Sequence, residues 1–182
     1  RRWVTDAAAL AGGIDILVNN ASAIRFGPID GLSFADWSFT IRHELDIVFL
    51  LTRAAWPYLV AAQGGSIVNV ASISASRGAF FMPQNAHGAA KGGVLALTRS
   101  AARALAPNGI AVNCVAPGPT LTPMLDDAFS NAEHRKRVES LTLLGRSGEP
   151  NEIAEAIAWL LSPRSSFVDG ETLTVDGGLM LD

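Results

Sequence analysis

Three short apolar runs, separated by long helical stretches, place the strongest limit on what this chain can fold into. The runs are IDILV (14–18), SIVNV (66–70) and IAVNCV (110–115). Runs this short and this apolar are typical of strands that are buried on both faces of a parallel sheet. A fourth segment, ETLTVDGG (171–178), predicts a last strand.

Helical periodicity fills the segments between these strands. The second helix has a start signal at Ser33 or Asp36, and the fourth is more polar and is interpreted as a mobile flap. Strands that alternate with helices predict an α/β fold, namely a doubly wound, mostly parallel sheet with helices on both faces, in one domain. The predicted helices cover residues 3–11, 33–63, 88–105, 123–140 and 148–162.

Charge and hydropathy argue against several classes of protein. The 182 residues include 17 acidic and 14 basic ones, for a net charge of −3, and no long basic run occurs. We therefore expect neither nucleic acid nor an anionic membrane as a partner. No apolar run reaches the length of a membrane span, and the first ten residues lack the apolar core of a signal peptide. A cytoplasmic location is the resulting prediction.

The cysteine and the histidines give no sign of a metal centre. Cys114 is the one cysteine, so an internal disulfide is excluded, and its apolar surroundings predict a small core residue. The three histidines share no spacing that is typical of metal ligands, and no metal is expected.

Polar and loop-forming residues follow the ends of the predicted strands. In open α/β sheets, ligands bind outside the carboxyl ends of the strands. A binding site is therefore predicted at this edge, formed by Asn19, Asn20 and Ser22 after the first strand, Ser72 after the second, and Pro117, Gly118, Thr120 and Thr122 after the third.

Six segments, in order, resemble the short-chain dehydrogenase/reductase family. They are DILVNNAS, GGSIVNVAS, HGAAKGGVLALTR, NGIAVNCVAPGPTLTPM, GEPNEIAEAIAWLLS and TVDGG, and together they extend over nearly the whole chain. The resemblance implies a Rossmann-type sheet and NAD or NADP as the cofactor. It also implies hydride transfer between the nicotinamide and a small ketone or alcohol, and a homo-oligomer.

The resemblance also implies roles for the matching positions. Ser72 corresponds to the serine that hydrogen-bonds the substrate oxygen, and Lys91 to the lysine of the YxxxK motif, which holds the nicotinamide ribose. Ser22 stands where glycine is commoner in the family. The implied cofactor contacts are Asn19, Asn20 and Ala21 near the adenosine side, and Pro117, Gly118, Thr120 and Thr122 near the nicotinamide and the phosphates.

Two candidate catalytic positions depart from the family's pattern. His87 replaces the tyrosine of YxxxK, and Glu44 stands where many members carry a catalytic asparagine. An imidazole can act as acid or base near neutral pH, so His87 is predicted to be the proton donor. Because it is shorter than a phenol, the substrate would sit deeper. Glu44 is predicted to orient a water molecule or to pair with Lys91 or His43.

Each of these residues also has a plainer interpretation. The NNAS segment could be only a capping turn, and Ser72 could be one more loop hydroxyl. Lys91 and Glu44 could be solvated helix residues, and His87 a binding residue in a slow or inactive site. The alternative function is therefore a non-catalytic binding or scaffold subunit, or a fragment that does not bind a dinucleotide.

Two further expectations concern the ends and faces of the domain. No counterpart of the family's TGxxxGxG turn occurs, so the chain is interpreted as a partial domain without its N-terminal βαβ portion, which would leave the IDILV strand as an open edge.

The helix with Trp37, Phe49 and Trp56 and the helix after Lys91 match those of the family's subunit interface. They predict a dimer or tetramer, unless these aromatic residues are ordinary core.

Overall fold

Four parallel strands, in the order β1-β2-β3-β4, form the sheet at the centre of the molecule. The computed structural model describes residues 2–78, 82–83 and 85–181. All neighbouring strands run parallel, which confirms the predicted sheet. The strands are β1 (Ile16–Asn19), β2 (Gly65–Val70), β3 (Ile110–Pro117) and β4 (Thr172–Val175).

Helices connect and cover these strands, and most of them lie where the sequence predicted them, whereas the short helix α4 forms in a segment predicted as a polar loop. The predicted long second helix is interrupted, because a π-helical segment, Arg42–Asp46, separates α2 from α3. The helix expected from Gly88 begins three residues earlier, so His87 lies in its first turn. The described helices are α1 (Arg2–Ala11), α2 (Phe34–Ile41), α3 (Ile47–Ala61), α4 (Ser74–Arg77), α5 (Asn85–Leu105), α6 (Asp126–Phe129), α7 (Ala132–Glu139) and α8 (Pro150–Leu160).

Side-chain caps fix the start of α2 and of α8. Ser33 is the N-cap of α2, and its hydroxyl accepts a hydrogen bond from the backbone N–H of Asp36 at 3.1 Å, which satisfies one of the free donors of the first turn. Helix α8 begins with Pro150 inside a capping box formed by Glu149 and Glu152. These local signals explain why both helix starts could be read from the sequence.

The sheet is packed on both faces, as the doubly wound fold requires. On one face, Val4 of α1, Leu59 of α3 and Leu105 of α5 pack against Ile67 and Val112 of the sheet. A separate cluster on the other face joins Val68 and Val115 to Leu160 of α8. Adjacent residues of one strand thus point into different clusters, which explains the continuous apolar runs in the sequence.

Strand β1 departs from the prediction that it is buried on both faces. Its residues Ile16 and Val18 are 51% and 38% exposed. They point to the same face as Val68, which pairs with Val18 across the sheet. Helix α8 covers that face where it packs on β2, β3 and β4. The prediction of full burial is therefore wrong for β1, because this helix packs on the other three strands.

Other expectations concern single residues and the polar segment. Cys114 is fully buried, as predicted, and burial raises the pKa of its thiol to about 11. The polar segment is helical, since it holds α6 and α7, and its mobility stays a prediction. Among the described residues, no helix is both long and apolar enough to span a membrane.

Candidate active site

A cavity of about 500 Å³ opens at the carboxyl ends of β1, β2 and β3. This volume lies within the range of pockets that hold small molecules and cofactors. The predicted binding edge and the cavity therefore coincide. Predicted site residues that line it are Asn20, Ser22, Glu44, Ser72, His87, Lys91, Pro117, Gly118, Thr120 and Thr122.

Helix α5 brings His87 and Lys91 to this cavity. The two residues are four positions apart, so they lie on one face of the helix, and they are 7% and 6% exposed. The helix can approach its neighbours closely because a side chain is absent at Gly88, where a Cβ would lie 3.1 Å from the carbonyl oxygen of Ser74. Close packing against the segment after β2 brings His87 and Lys91 into the same cavity as Ser72.

Glu44 enters the site from the π-helical segment and is completely buried. Its Oε1 accepts a hydrogen bond from Ser22 Oγ at 2.6 Å. Nδ1 of His87 lies 2.8 Å from Oε2 and 3.0 Å from Oε1. Nζ of Lys91 lies 3.6 Å from Oε1. A π turn is wider than an α turn and is frequent at functional sites, and here it carries a carboxylate that contacts three polar side chains.

The electrostatics of the site favour an ionised Glu44. Burial alone would raise its pKa, but the hydrogen bond with His87, the charges of His87 and Lys91 and the hydrogen bond from Ser22 together lower the pKa below its usual value. A buried carboxylate persists only when it is paired in this way. Glu44 therefore accepts hydrogen bonds as a carboxylate and holds the side chains of Ser22, His87 and Lys91 close together.

Lys91 is a buried cation with two partners. Its Nζ donates to the carbonyl oxygen of Val70 at 2.9 Å and faces Glu44. Burial lowers the pKa of Lys91, and the charge of Glu44 partly offsets that effect. The ammonium group has three donors, so it keeps capacity for a ligand in the cavity.

The structure contradicts the plainer interpretations of Glu44 and Lys91, because neither residue is solvated. It also contradicts a pair between Glu44 and His43. The ring of His43 stacks on Phe39 with 4.0 Å between centroids, and its Nδ1 donates to the carbonyl oxygen of Phe39 at 2.7 Å. His43 therefore interacts with Phe39, one helical turn earlier, and not with Glu44.

Ser72 lies in the loop after β2 and lines the cavity. Its Oγ accepts a hydrogen bond from the backbone N–H of Ser74 at 3.1 Å. No acceptor for its own O–H occurs among the described residues, so the hydroxyl can donate to a substrate oxygen.

Two predicted cofactor contacts do not line the cavity. Asn19 is 3% exposed, and its amide donates to Asn69 Oδ1 at 2.8 Å and to Thr52 Oγ1 at 3.2 Å. It therefore ties β1 to β2 and α3. Ala21 is exposed and lies outside the residues that line the cavity. Cofactor contacts from Asn19 and Ala21 stay predictions.

Backbone packing fixes the loop that follows β3. A Cβ at Gly118 would lie 2.7 Å from Cα of Asp176, closer than a side chain can approach a backbone atom. Thr120 donates from Oγ1 to the carbonyl oxygen of Gly118 at 3.0 Å. Gly118 therefore lets the loop lie against the segment after β4, and this contact sets the position of the cavity wall.

Replacing Gly118 with alanine should lower the free energy of unfolding by about 1–3 kcal/mol, because the methyl group forces the loop away from Asp176. Denaturant unfolding measures this loss. Gly148→Ala is the matched control, since a Cβ there meets nothing closer than 3.7 Å. Equal effects of the two substitutions would contradict the assigned role of Gly118.

Sequence reasoning missed two parts of the site. The sequence places Ser22 at the predicted binding edge, but it does not indicate the hydrogen bond from Ser22 to Glu44. The apolar wall from α8, formed by Ile153 and Ile157, was also missed. The departure at Ser22 was a usable signal, but the helix residues looked like ordinary core positions.

The fold and the cavity together define a doubly wound α/β protein in which a serine, a histidine and a lysine face a pocket at the strand ends. The chain matches, over residues 1–180, the family described as "Enoyl-(Acyl carrier protein) reductase". Its sequence is 39% identical to 3-oxoacyl-(acyl-carrier-protein) reductase FabG of Thermotoga maritima over 171 residues, which are 93% of this chain and 68% of that protein.

Two further comparisons give the same result. Acetoacetyl-CoA reductase of an Acinetobacter species is 34% identical over 178 residues, which cover 98% of this chain and 70% of that protein. The crystal structure of a gluconate 5-dehydrogenase from Burkholderia cenocepacia, in complex with NADP and tartrate, superposes with a TM-score of 0.93 at 34% identity, covering 98% of this chain and 69% of that one. The chain belongs to the short-chain dehydrogenase/reductase family.

Proposed function

We propose that this protein is an NAD(P)-dependent oxidoreductase that transfers hydride between a nicotinamide cofactor and a carbonyl or alcohol substrate. Ser72, His87 and Lys91 are its catalytic side chains, and Glu44 supports them. The observation that carries the proposal is that all four line one cavity at the strand ends of a short-chain dehydrogenase/reductase.

The residues that line the cavity fit the nicotinamide and ribose part of the cofactor. Lys91 has one donor left after Val70 and Glu44, and this donor suits a ribose hydroxyl group. Lys91 is also the only Lys or Arg among the described residues that line the cavity, so this cavity offers no additional cationic side chain for the pyrophosphate. The structural relative from Burkholderia cenocepacia holds NADP. When bound, the nicotinamide supplies or accepts the hydride.

The chain's own groups act on the substrate oxygen. In the reductive direction, the O–H of Ser72 polarises the carbonyl group by donating a hydrogen bond. His87 gives a proton to the oxygen as negative charge develops there. Lys91 holds the ribose and keeps a positive charge near the reacting oxygen. Glu44 holds the imidazole through Nδ1.

The substrate is a small ketone or secondary alcohol. The relatives named above are reductases of 3-oxoacyl and acetoacetyl thioesters and a dehydrogenase of gluconate. On the side of α8, Ile153 and Ile157 give the cavity an apolar wall. Such a wall suits the carbon skeleton next to the reacting carbonyl group.

Two measurements on the purified chain test this function. In a thermal shift assay, NADH or NADPH should raise the melting temperature, because a ligand that binds only the folded state stabilises it. With acetoacetyl-CoA and 5-ketogluconate as probes, at least one should cause loss of the absorbance of the reduced nicotinamide. Stabilisation without turnover on a broad ketone panel would favour a non-catalytic binding subunit, and no response to either nucleotide would contradict the proposal.

Self-association is part of the same proposal. Phe49 and Trp56 on α3 are 48% and 37% exposed, and Leu50 beside them is 54% exposed. Apolar side chains grouped on one helix suit an interface between copies of the chain. Light scattering at micromolar concentration should give the mass of a dimer or tetramer, and a monomer would count against it.

A further inference from the structure

A short hydrogen bond joins Ser22 to the acid/base site. Ser22 Oγ lies 2.6 Å from Glu44 Oε1, and the same carboxylate lies 2.8 Å from Nδ1 of His87. These three residues are far apart in the sequence, and each of them departs from the residue that is commoner in the family. Because Glu44 contacts both of the other residues, the three departures form one unit, in which Ser22 and His87 are linked through the carboxylate.

The chemistry of this unit sets where the hydrogen atoms lie. An ionised carboxylate can only accept hydrogen bonds, so Ser22 donates its O–H and His87 carries a hydrogen on Nδ1. In a neutral imidazole the other nitrogen, Nε2, then has a free lone pair. His87 lines the cavity, and the described residues provide no partner for Nε2. Nε2 of His87 can therefore accept a hydrogen bond from a substrate hydroxyl group in the cavity.

We propose that Ser22 is a positioning residue: through Glu44 it fixes His87 in the tautomer with hydrogen on Nδ1. Neutral His87 is then a proton acceptor toward the cavity, and it becomes a proton donor only as the imidazolium ion. This inference deepens the proposed function, on which its catalytic meaning rests. It also refines that function, since a neutral imidazole held in this way has no hydrogen to give to a carbonyl oxygen.

The proton and the electrons balance in both directions. During alcohol oxidation the hydroxyl O–H bond breaks and its proton moves to Nε2, while the carbon loses a hydride to the bound nicotinamide and a C=O bond forms. The resulting imidazolium lies against the carboxylate of Glu44. Reduction runs in reverse and requires that imidazolium ion at the start. In the described part of the chain, the charged groups around His87 are Glu44 from the π-helical segment and, beyond its carboxylate, Lys91 from α5.

Nitrogen NMR of protein labelled with ¹⁵N-histidine tests the tautomer without nucleotide or substrate. At a pH where the ring is neutral, the His87 signals, assigned by their loss in His87→Phe, should show a protonated Nδ1 and an unprotonated Nε2. Ser22→Ala should shift the ring toward a mixture of tautomers, and Ser22→Thr should restore the wild-type pattern. Hydrogen on Nε2 in the wild type, or an unchanged pattern in Ser22→Ala, would overturn the proposal.

A matched control and a kinetic readout sharpen the test. Ser33 makes a serine–carboxylate bond of the same 2.6 Å length to Asp36 on the surface, so Ser33→Ala should leave the His87 signals unchanged. Ser22→Ala should lower kcat about tenfold, change KM little and displace the pH profile, and Ser22→Thr should recover the rate. A wild-type chain without turnover contradicts the proposed function, yet the NMR result still decides the tautomer.

Discussion

Replacing His87 with phenylalanine should lower carbonyl reduction by at least about a hundredfold, while the binding of NADH or NADPH survives. General acid catalysis contributes about a hundredfold to ten-thousandfold, and phenylalanine has no proton to give. Binding persists because the variant keeps Lys91, the residue assigned to the ribose. Steady-state kinetics and nucleotide titration on the same preparation measure both quantities.

The variant also changes stability in a defined direction. Glu44 is buried and would lose the hydrogen bond from His87, while Ser22 and Lys91 stay as partners. The free energy of unfolding should fall by about 1–3 kcal/mol, the range for a buried polar group that loses a partner. His134→Phe on α7 is the control, since that histidine does not line the cavity. Unchanged turnover in His87→Phe would mean that His87 has no chemical role.

Replacing Lys91 with methionine should weaken nucleotide binding and remove turnover. The ribose loses a charge-assisted hydrogen bond, so affinity for NADH or NADPH should weaken about tenfold to a hundredfold. Methionine has a similar length, so the change removes the charge with little change in packing. The control is Lys136→Met on α7, the chain's other lysine, which is exposed. Full nucleotide affinity in Lys91→Met would contradict the assigned role.

The same variant should alter how stability depends on pH. Burial lowers the pKa of Lys91 below its ordinary 10.5 in the folded protein. The unfolded chain therefore binds this proton more strongly, and stability rises with pH between the folded-state pKa and the ordinary value. Lys91→Met should lose this alkaline rise, which denaturant unfolding at a series of pH values would detect. A rise of equal size in the variant would mean that another group causes it.

Much of the fold could be predicted because its signals are local. The apolar runs of β2 and β3, the N-cap Ser33 and the start of α8 at Pro150 are each defined by a few neighbouring residues. The exposure of Ile16 and Val18 could not be predicted in this way, because it depends on which strands α8 covers.

The site was predicted to the extent that the resemblance to a known family placed its residues. Ser72, His87 and Lys91 were identified from motifs, and the structure brings them to one cavity. The burial of Glu44 depends on a π turn that no sequence pattern indicated, and on contacts with residues 22 and 43 positions away. The structural role of Asn19 likewise arises only when β1 pairs with β2.

The central claim is that hydride moves between a nicotinamide and a carbonyl carbon beside Ser72, His87 and Lys91. The most direct measurement uses NADH or NADPH deuterated at the transferable position, a ketone that the chain consumes, and mass spectrometry of the product. The account predicts one deuterium on the carbinol carbon, and loss of this product in His87→Phe. A chain that binds the nucleotide but transfers no deuterium to any ketone of the panel would contradict it.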